Sequence, residues 1–155
     1  MSEVTHEQVK LMLQLYEMRR EEKLRKARSW FFSNFFVTNL EDMMKNFPMD
    51  SEMNANIRMV SSYWEMVASI VNRGLIDEDL FFENSGEQWV VWERLQPIAQ
   101  EWRKVMKNPL IFKNLEEHCK RLDAWREKKA PGSTETMRER MKQMQMMSRH
   151  AKSAN

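Results

Sequence analysis

Apolar residues recur at intervals of three and four along the middle of the chain. A first stripe marks one face of a helix and comprises Ile57, Val60, Trp64, Val67 and Val71. A second stripe lies beside it and comprises Met59, Tyr63, Met66 and Ile70. A helix that is apolar over most of its circumference is normally packed on several sides by other elements. The pattern therefore predicts a central buried helix over about residues 51–73.

Capping signals predict two further helices in the N-terminal part of the chain. Thr5 opens a capping box, so a first helix is expected to begin near His6. The charged run RREEKLRKAR contains favourable i,i+4 pairs and is interpreted as an exposed stretch of that same long helix. Thr38 with Glu41 forms a second capping box and predicts a short helix.

Glycine, proline and asparagine mark the later boundaries. Gly74 suits the left-handed residue that ends a helix, and Asp77 can cap the helix after it. The next long helix contains Pro97, which removes one backbone hydrogen bond and predicts a kink or a break. Asn108 followed by Pro109 is typical of a cap and first turn, and predicts the start of another helix.

These elements predict an all-α protein, a compact multi-helix bundle around the central helix. Three glycines and four prolines are too few for a turn-rich β protein, and alternating β-branched runs do not occur. The densest aromatic cluster, SWFFSNFF, is interpreted as part of the core. The predicted organisation is a helical domain over 1–129, a linker over 130–134, and a basic, methionine-rich amphipathic helix or tail over 135–155.

Charge is distributed unevenly although the whole chain carries only +2. Residues 29–106 contain six basic and twelve acidic side chains, whereas residues 107–155 contain twelve basic and six acidic ones. A molecule with an acidic middle and a basic tail can associate with itself or with a charged partner.

The tail places three methionines on one helical face, flanked by basic residues. Met137, Met141 and Met144 follow four-and-three spacing, with Arg138 and Lys142 beside them. Methionine is flexible and polarizable, and methionine-rich helices can serve as adaptable binding surfaces. Three interpretations stay open: folding back or fraying, docking on a second copy or a protein partner, and binding to a membrane or nucleic acid.

The polar strip of the central helix supplies the candidate buried polar residues Arg58, Glu65 and Asn72. Glu65 could be a partly buried carboxylate with a role as an acid or ligand. It has no second acid, histidine or cysteine at helical spacing, which favours a structural role.

The chain carries no recognisable catalytic, cofactor or metal signature. His118 and Cys119 are adjacent and point in different directions around a helix, so they form neither a zinc site nor a nucleophile–base pair. One cysteine excludes an internal disulfide, and neither a signal peptide nor a membrane span is recognised. We therefore expect no cofactor and no metal, and a soluble, cytoplasmic protein.

A family resemblance follows from three segments. They are SSYWEMVASIVNRGLIDEDLFFE, VWERLQPIAQEWRK and NPLIFKNLEEHCKRL. The chain resembles a bacterial family of small helical proteins described only as a domain of unknown function, over about residues 16–125. The matching positions are Tyr63, Trp64, Glu65, Gly74, Leu75, Ile76, Asp77, Trp92, Pro97 and Arg103. The resemblance implies a helical fold, and the family has no assigned activity. Many members carry an N-terminal membrane helix, and we expect none in this sequence.

The leading functional hypothesis is a non-enzymatic protein–protein interaction module, by self-association or with a protein partner. The alternative is a nucleic-acid-associated protein that uses the basic tail together with Arg19, Arg20, Arg25 and Arg28. A third and weaker hypothesis is an enzyme centred on Glu65.

Overall fold

The computed structural model describes residues 3–155, which form eight α-helices and no strand. In chain order these are α1 (His6–Arg19), α2 (Glu22–Asn34), α3 (Leu40–Asn46), α4 (Glu52–Asn72), α5 (Glu78–Asn84), α6 (Glu87–Val105), α7 (Lys113–Lys129) and α8 (Ser133–Ser153). The predicted all-α class, with a central helix and a methionine-rich C-terminal helix, is confirmed.

The chain divides into two compact units. The first extends to Cys119 and contains α1 to α6 with the start of α7. The second, Lys120–Asn155, contains the rest of α7 and α8.

Helix α4 is the centre of the first unit and packs against α2, α5 and α6. All five residues of its first apolar stripe are at most 2% exposed. The second stripe is covered less completely, because Met59 and Met66 remain 36% and 38% exposed. The aromatic cluster contributes Phe31 and Phe35 to the core, both fully buried and stacked at a centroid distance of 4.8 Å.

The predicted long first helix is wrong, because the chain breaks between α1 and α2 at Arg20 and Glu21. Glu21 has an extended backbone, with φ −54° and ψ 141°, and its carboxylate accepts a hydrogen bond from the Leu24 amide at 3.1 Å. The break thus comes from a side-chain cap that starts a new helix. The predicted start of α1 is confirmed, since Thr5 caps it.

Two other helix starts differ from the prediction. Helix α3 is capped by Asn39, whose carboxamide oxygen accepts from the Asp42 amide, and not by Thr38. Asn108 does not cap α7 but closes a local turn, because its carboxamide oxygen accepts from the Leu110 amide at 3.0 Å. Helix α7 begins five residues after Asn108, at Lys113.

The ends of α4 and the start of α5 agree with the prediction from the sequence. Gly74 ends α4 with φ +75°, in the left-handed region, and Asp77 caps α5. Helix α6 continues through Pro97 without a break. After the Gly74 turn, the side chain of Ile76 packs into the core and is fully buried, whereas Leu75 is 54% exposed.

The second unit is built around the turn between α7 and α8. Gly132 adopts φ +83°, and its amide donates a hydrogen bond to the Glu127 carboxylate at 2.9 Å. The guanidinium of Arg138 on α8 lies 3.4 Å from the carboxylate of Asp123 on α7. Helix α8 already begins at Ser133, inside the segment predicted as a linker.

Candidate functional site

Glu65, the candidate acid of the polar strip, is engaged at the start of another helix. One carboxylate oxygen accepts from the amide and the carboxamide of Asn114, at 3.1 and 2.9 Å. The other accepts from the amide of Leu115 at 2.8 Å. These two amides belong to the first turn of α7, where a carboxylate also interacts favourably with the helix dipole. The half-buried Glu65 therefore caps α7 from α4.

The other two residues of the strip lie apart from this carboxylate. Arg58 is exposed, and its Nε donates to the carboxamide oxygen of Asn54 at 3.0 Å. Asn72 is half-buried and donates to the backbone carbonyl of Asn114 at 3.0 Å. Asn72 and Glu65 thus hold the same end of α7, whereas Arg58 takes no part there.

A second polar cluster in the first unit joins α1, α2, α4 and α6 around Glu87. Arg28 makes a two-pronged contact with this carboxylate through Nε, at 2.7 Å, and Nη2. Arg19 donates to it from Nη1 at 3.3 Å, and the indole of Trp64 donates from Nε1 at 3.3 Å. We call these four residues the Glu87 cluster. Glu87 lies in the first turn of α6, which itself favours a negative charge.

The Glu87 cluster is shielded from solvent and has unequal charges. The side chains of Arg19, Arg28 and Glu87 are 18%, 19% and 15% exposed. Its hydrogen bond with Glu87 raises the pKa of the Arg28 guanidinium, so Arg28 keeps its charge. Two guanidinium groups share one carboxylate, which leaves a net charge of +1 among the three side chains.

A cavity of about 230 Å³ lies beside this cluster. Its walls come from α1, α4 and α5 and the residue that follows α5. They comprise Met12, Leu13, Leu15, Tyr16, Arg19, Tyr63, Trp64, Val67, Phe81, Asn84 and Ser85. The cavity thus combines apolar walls with one cationic side chain, Arg19.

Aromatic side chains fix the cationic end of the cavity. The Arg19 guanidinium lies 5.0 Å from the ring centroid of Tyr16 and 5.8 Å from that of Trp64. Tyr63 packs edge-on against Trp64, and its hydroxyl donates to the backbone carbonyl of Leu15. Burial raises the pKa of Tyr63 to about 12, so this hydroxyl remains a donor at neutral pH. Arg19 is therefore held by a π-face on one side and a carboxylate on the other.

The four arginines of the predicted nucleic-acid patch have separate roles. Arg19 and Arg28 lie in the Glu87 cluster. Arg20 forms an exposed ion pair with Glu17 at 3.5 Å, and Arg25 is exposed. Two of the four guanidinium groups are therefore paired with Glu87, and the other two are on exposed side chains.

The predicted methionine face of α8 divides into half-buried and exposed parts. Met137 and Met141 are half-buried, and Arg138 is close to Asp123. Met144 is 67% exposed and Lys142 is exposed. Two further methionines on this helix, Met146 and Met147, are 59% and 72% exposed.

His118 and Cys119 are both buried, against Gln88 of α6. The Gln88 carboxamide lies 3.3 Å from His118 Nε2, and the Gln88 carbonyl accepts from the Cys119 thiol at 3.6 Å. The rings of Phe81 and Phe82 pack on the imidazole. Within residues 3–155, no group of three or more histidine, cysteine or carboxylate side chains is arranged to hold a metal ion.

The sequence gives little sign of the Glu87 cluster. Arg28 and Glu87 are 59 positions apart, and no local pattern links them. The one local indication is that Glu87 directly follows Gly86, in the first turn of a predicted helix, where a carboxylate is favoured.

Among the helices of the described residues, none has both the length and the apolar character that a membrane span requires.

Comparison with known proteins agrees with the resemblance inferred from the sequence. The family model described as "Domain of unknown function (DUF4760)" matches residues 4–122. This match covers nearly all of the first unit and leaves out α8. No curated protein and no solved structure matches the chain.

Proposed function

We propose that this chain, which belongs to the DUF4760 family, a domain of unknown function, is a non-enzymatic interaction module. It associates with a second copy of itself through α8. The observation that carries the proposal is the group of exposed methionines Met144, Met146 and Met147, which we call the α8 methionine cluster.

The composition of α8 favours a protein surface as its partner. Flexible methionine side chains adapt to partners of different shape, and solvent exposure of three of them on one short segment is unfavourable without a partner. Five Lys and Arg against two Glu give this helix a net charge of +3. Arg140 shares the face of Met144 and Met147 by helical spacing, so the apolar cluster has a basic border.

The same chain carries an acidic surface whose charge is opposite to that of α8. Residues 77–83 contain four acidic residues and no Lys or Arg. Of these, Asp79 and Glu83 on α5 are exposed, and the whole of residues 29–106 carries six more acidic than basic side chains. Charge complementarity between α8 and α5 therefore supports a second copy as the partner.

The competing hypotheses have less support. The Glu65 carboxylate accepts hydrogen bonds from the first turn of α7, which accounts for its position without catalysis. Arg19 and Arg28 are paired with Glu87, which reduces the charge that the first two helices could offer to phosphates.

The solution mass of the full chain tests the proposal. Sedimentation over a range of protein concentrations should show a dimer that dissociates on dilution and in high salt. The double substitution Met144→Glu and Met147→Glu should shift the dimer to monomer. Met49→Glu is the matched control because Met49 is 66% exposed, close to the 67% of Met144, and lies outside α8. A monomer at every concentration, or the same mass for all three proteins, refutes self-association through α8.

A charge exchange tests whether α5 is the complementary surface. Asp79→Lys with Glu83→Lys should weaken the dimer, and adding Arg140→Glu to that protein should restore part of it. If replacing Asp79 and Glu83 with lysine leaves the dimer intact, α8 binds elsewhere on the second copy.

A further inference from the structure

The cavity beside the Glu87 cluster has the chemistry of a small-molecule site. Apolar side chains from three helices form most of its wall, including Met12, Leu15, Val67 and Phe81. Its volume of about 230 Å³ is just below the usual range of about 300–1,000 Å³ for ligand pockets. It corresponds to about eight water volumes, or a ligand of about ten non-hydrogen atoms.

The cationic end of the cavity is incompletely neutralised. Arg28 takes both oxygens of Glu87, and Arg19 reaches only one of them, at the longer distance of 3.3 Å. Among the residues that the structure describes, the Arg19 guanidinium donates one hydrogen bond, through Nη1. Its other donors, Nε and Nη2, belong to a side chain that lines the cavity.

Several contacts hold the Arg19 side chain. Its guanidinium carbon lies 5.0 Å from the ring centroid of Tyr16 and 5.8 Å from that of Trp64, and its carboxylate partner also accepts hydrogen bonds from Arg28 and from the Trp64 indole. A guanidinium group held in this way needs little reorganisation to bind a planar carboxylate. An incoming negative charge would also balance the net +1 of the cluster.

We propose that this cavity binds a small monocarboxylate with a short apolar tail, its head paired with Arg19 and its tail packed along α1, α4 and α5. The proposal is independent of self-association through α8, since every residue it uses belongs to the first unit.

Three probes with the same tail and different heads test the charge preference. Isothermal titration of the full-length protein would compare octanoate, octan-1-ol and octylammonium, all below their aggregation concentrations. Octanoate should bind saturably with one site per chain, octan-1-ol about 10-fold more weakly, and octylammonium more weakly still, because a charge-assisted hydrogen bond is lost. Equal binding of the three probes, or no saturable binding of octanoate, overturns the proposal.

Substitutions then locate the site. Arg19→Gln should weaken octanoate about 10-fold and leave octan-1-ol unchanged, whereas Arg20→Gln, the exposed neighbour outside the cavity, should leave both unchanged. Octanoate binding that Arg19→Gln does not alter refutes the assignment.

A second variant keeps the test decisive if Arg19→Gln does not fold. Leu13 lines the cavity but is 54% exposed, so Leu13→Glu adds a negative charge at the wall without emptying the core. It should weaken octanoate and strengthen octylammonium. The same affinities as the unchanged protein would place binding outside this cavity.

Discussion

Removal of the Glu65 carboxylate is expected to destabilise the protein through the start of α7. Glu65→Ala takes away the acceptor of two main-chain amides, those of Asn114 and Leu115, and of one side-chain amide. A hydrogen bond to a charged group contributes about 1.5–3 kcal/mol, and loss of a capping side chain costs about 0.5–2 kcal/mol. Because Glu65 is half-buried, water replaces part of the loss.

We therefore expect Glu65→Ala to lower the free energy of unfolding by about 2–3 kcal/mol. Glu65→Gln keeps one acceptor oxygen and loses the charge near the helix dipole, so its cost should be about 1 kcal/mol. Urea unfolding followed by far-ultraviolet circular dichroism measures both. With a slope of about 2 kcal/mol per molar urea, the midpoint for Glu65→Ala should fall by about 1–1.5 M.

The matched control is Glu139→Ala, an exposed glutamate on α8. Its free energy of unfolding should change by no more than about 0.5 kcal/mol, as expected for an ordinary surface substitution. Hydrogen exchange adds a local measurement, since the amides of Asn114 and Leu115 should lose protection before the rest of α7. If Glu65→Ala unfolds at the same urea concentration as Glu139→Ala, Glu65 is not a structural cap and its role as an acid must be reconsidered.

Two further outcomes are expected. The pKa of Tyr63 is raised by burial from about 10 unfolded to about 12 folded, so its contribution to stability is complete below about pH 10 and is lost as the pH rises towards 12. Urea midpoints measured across this interval should fall, and Tyr63→Phe should reduce that fall; an identical pH profile would contradict the linkage. Arg94 donates to the carbonyls at the end of α2, those of Phe31, Phe32 and Phe35. Although burial lowers its pKa to about 10, it stays charged at neutral pH, so Arg94→Met should cost about 2–3 kcal/mol in the same unfolding assay, and an unchanged midpoint would exclude this capping role.

Local patterns were sufficient for the elements whose limits are set by neighbouring residues. The spacing of the first stripe predicted α4, and Gly74 and Asp77 predicted its end and the next start, because each of these signals acts within one turn. The break before α2 was missed because glutamate is not among the preferred N-cap residues, although Glu21 fills that position here. Thr38 and Asn39 are adjacent residues that can both cap, so the sequence did not distinguish them.

Contacts between distant residues were outside the reach of the sequence. The cap of α7 comes from Glu65, 49 positions before Asn114, so the local signal at Asn108 placed the start too early. The charged run across the break between α1 and α2 is predicted to be exposed, yet its last residue, Arg28, pairs with a carboxylate 59 positions away. Periodicity identifies a face of a helix but not the element that covers it, which is why the Glu87 cluster and its cavity appear only in three dimensions.

The cap from Glu65 also frees the segment between α6 and α7 to vary over evolutionary time. The first turn of α7 is positioned by a side chain of α4 and not by the length of the preceding connection. Residues 106–110 of that connection are exposed, with Leu110 70% accessible, and the connection contains two residues with positive φ, Lys107 at 49° and Phe112 at 56°. Doubling a loop costs only about 0.6 kcal/mol in closure entropy. Insertions between Lys107 and Leu110 would therefore be selected against only weakly, and relatives of this chain can acquire new loops there while α7 keeps its register.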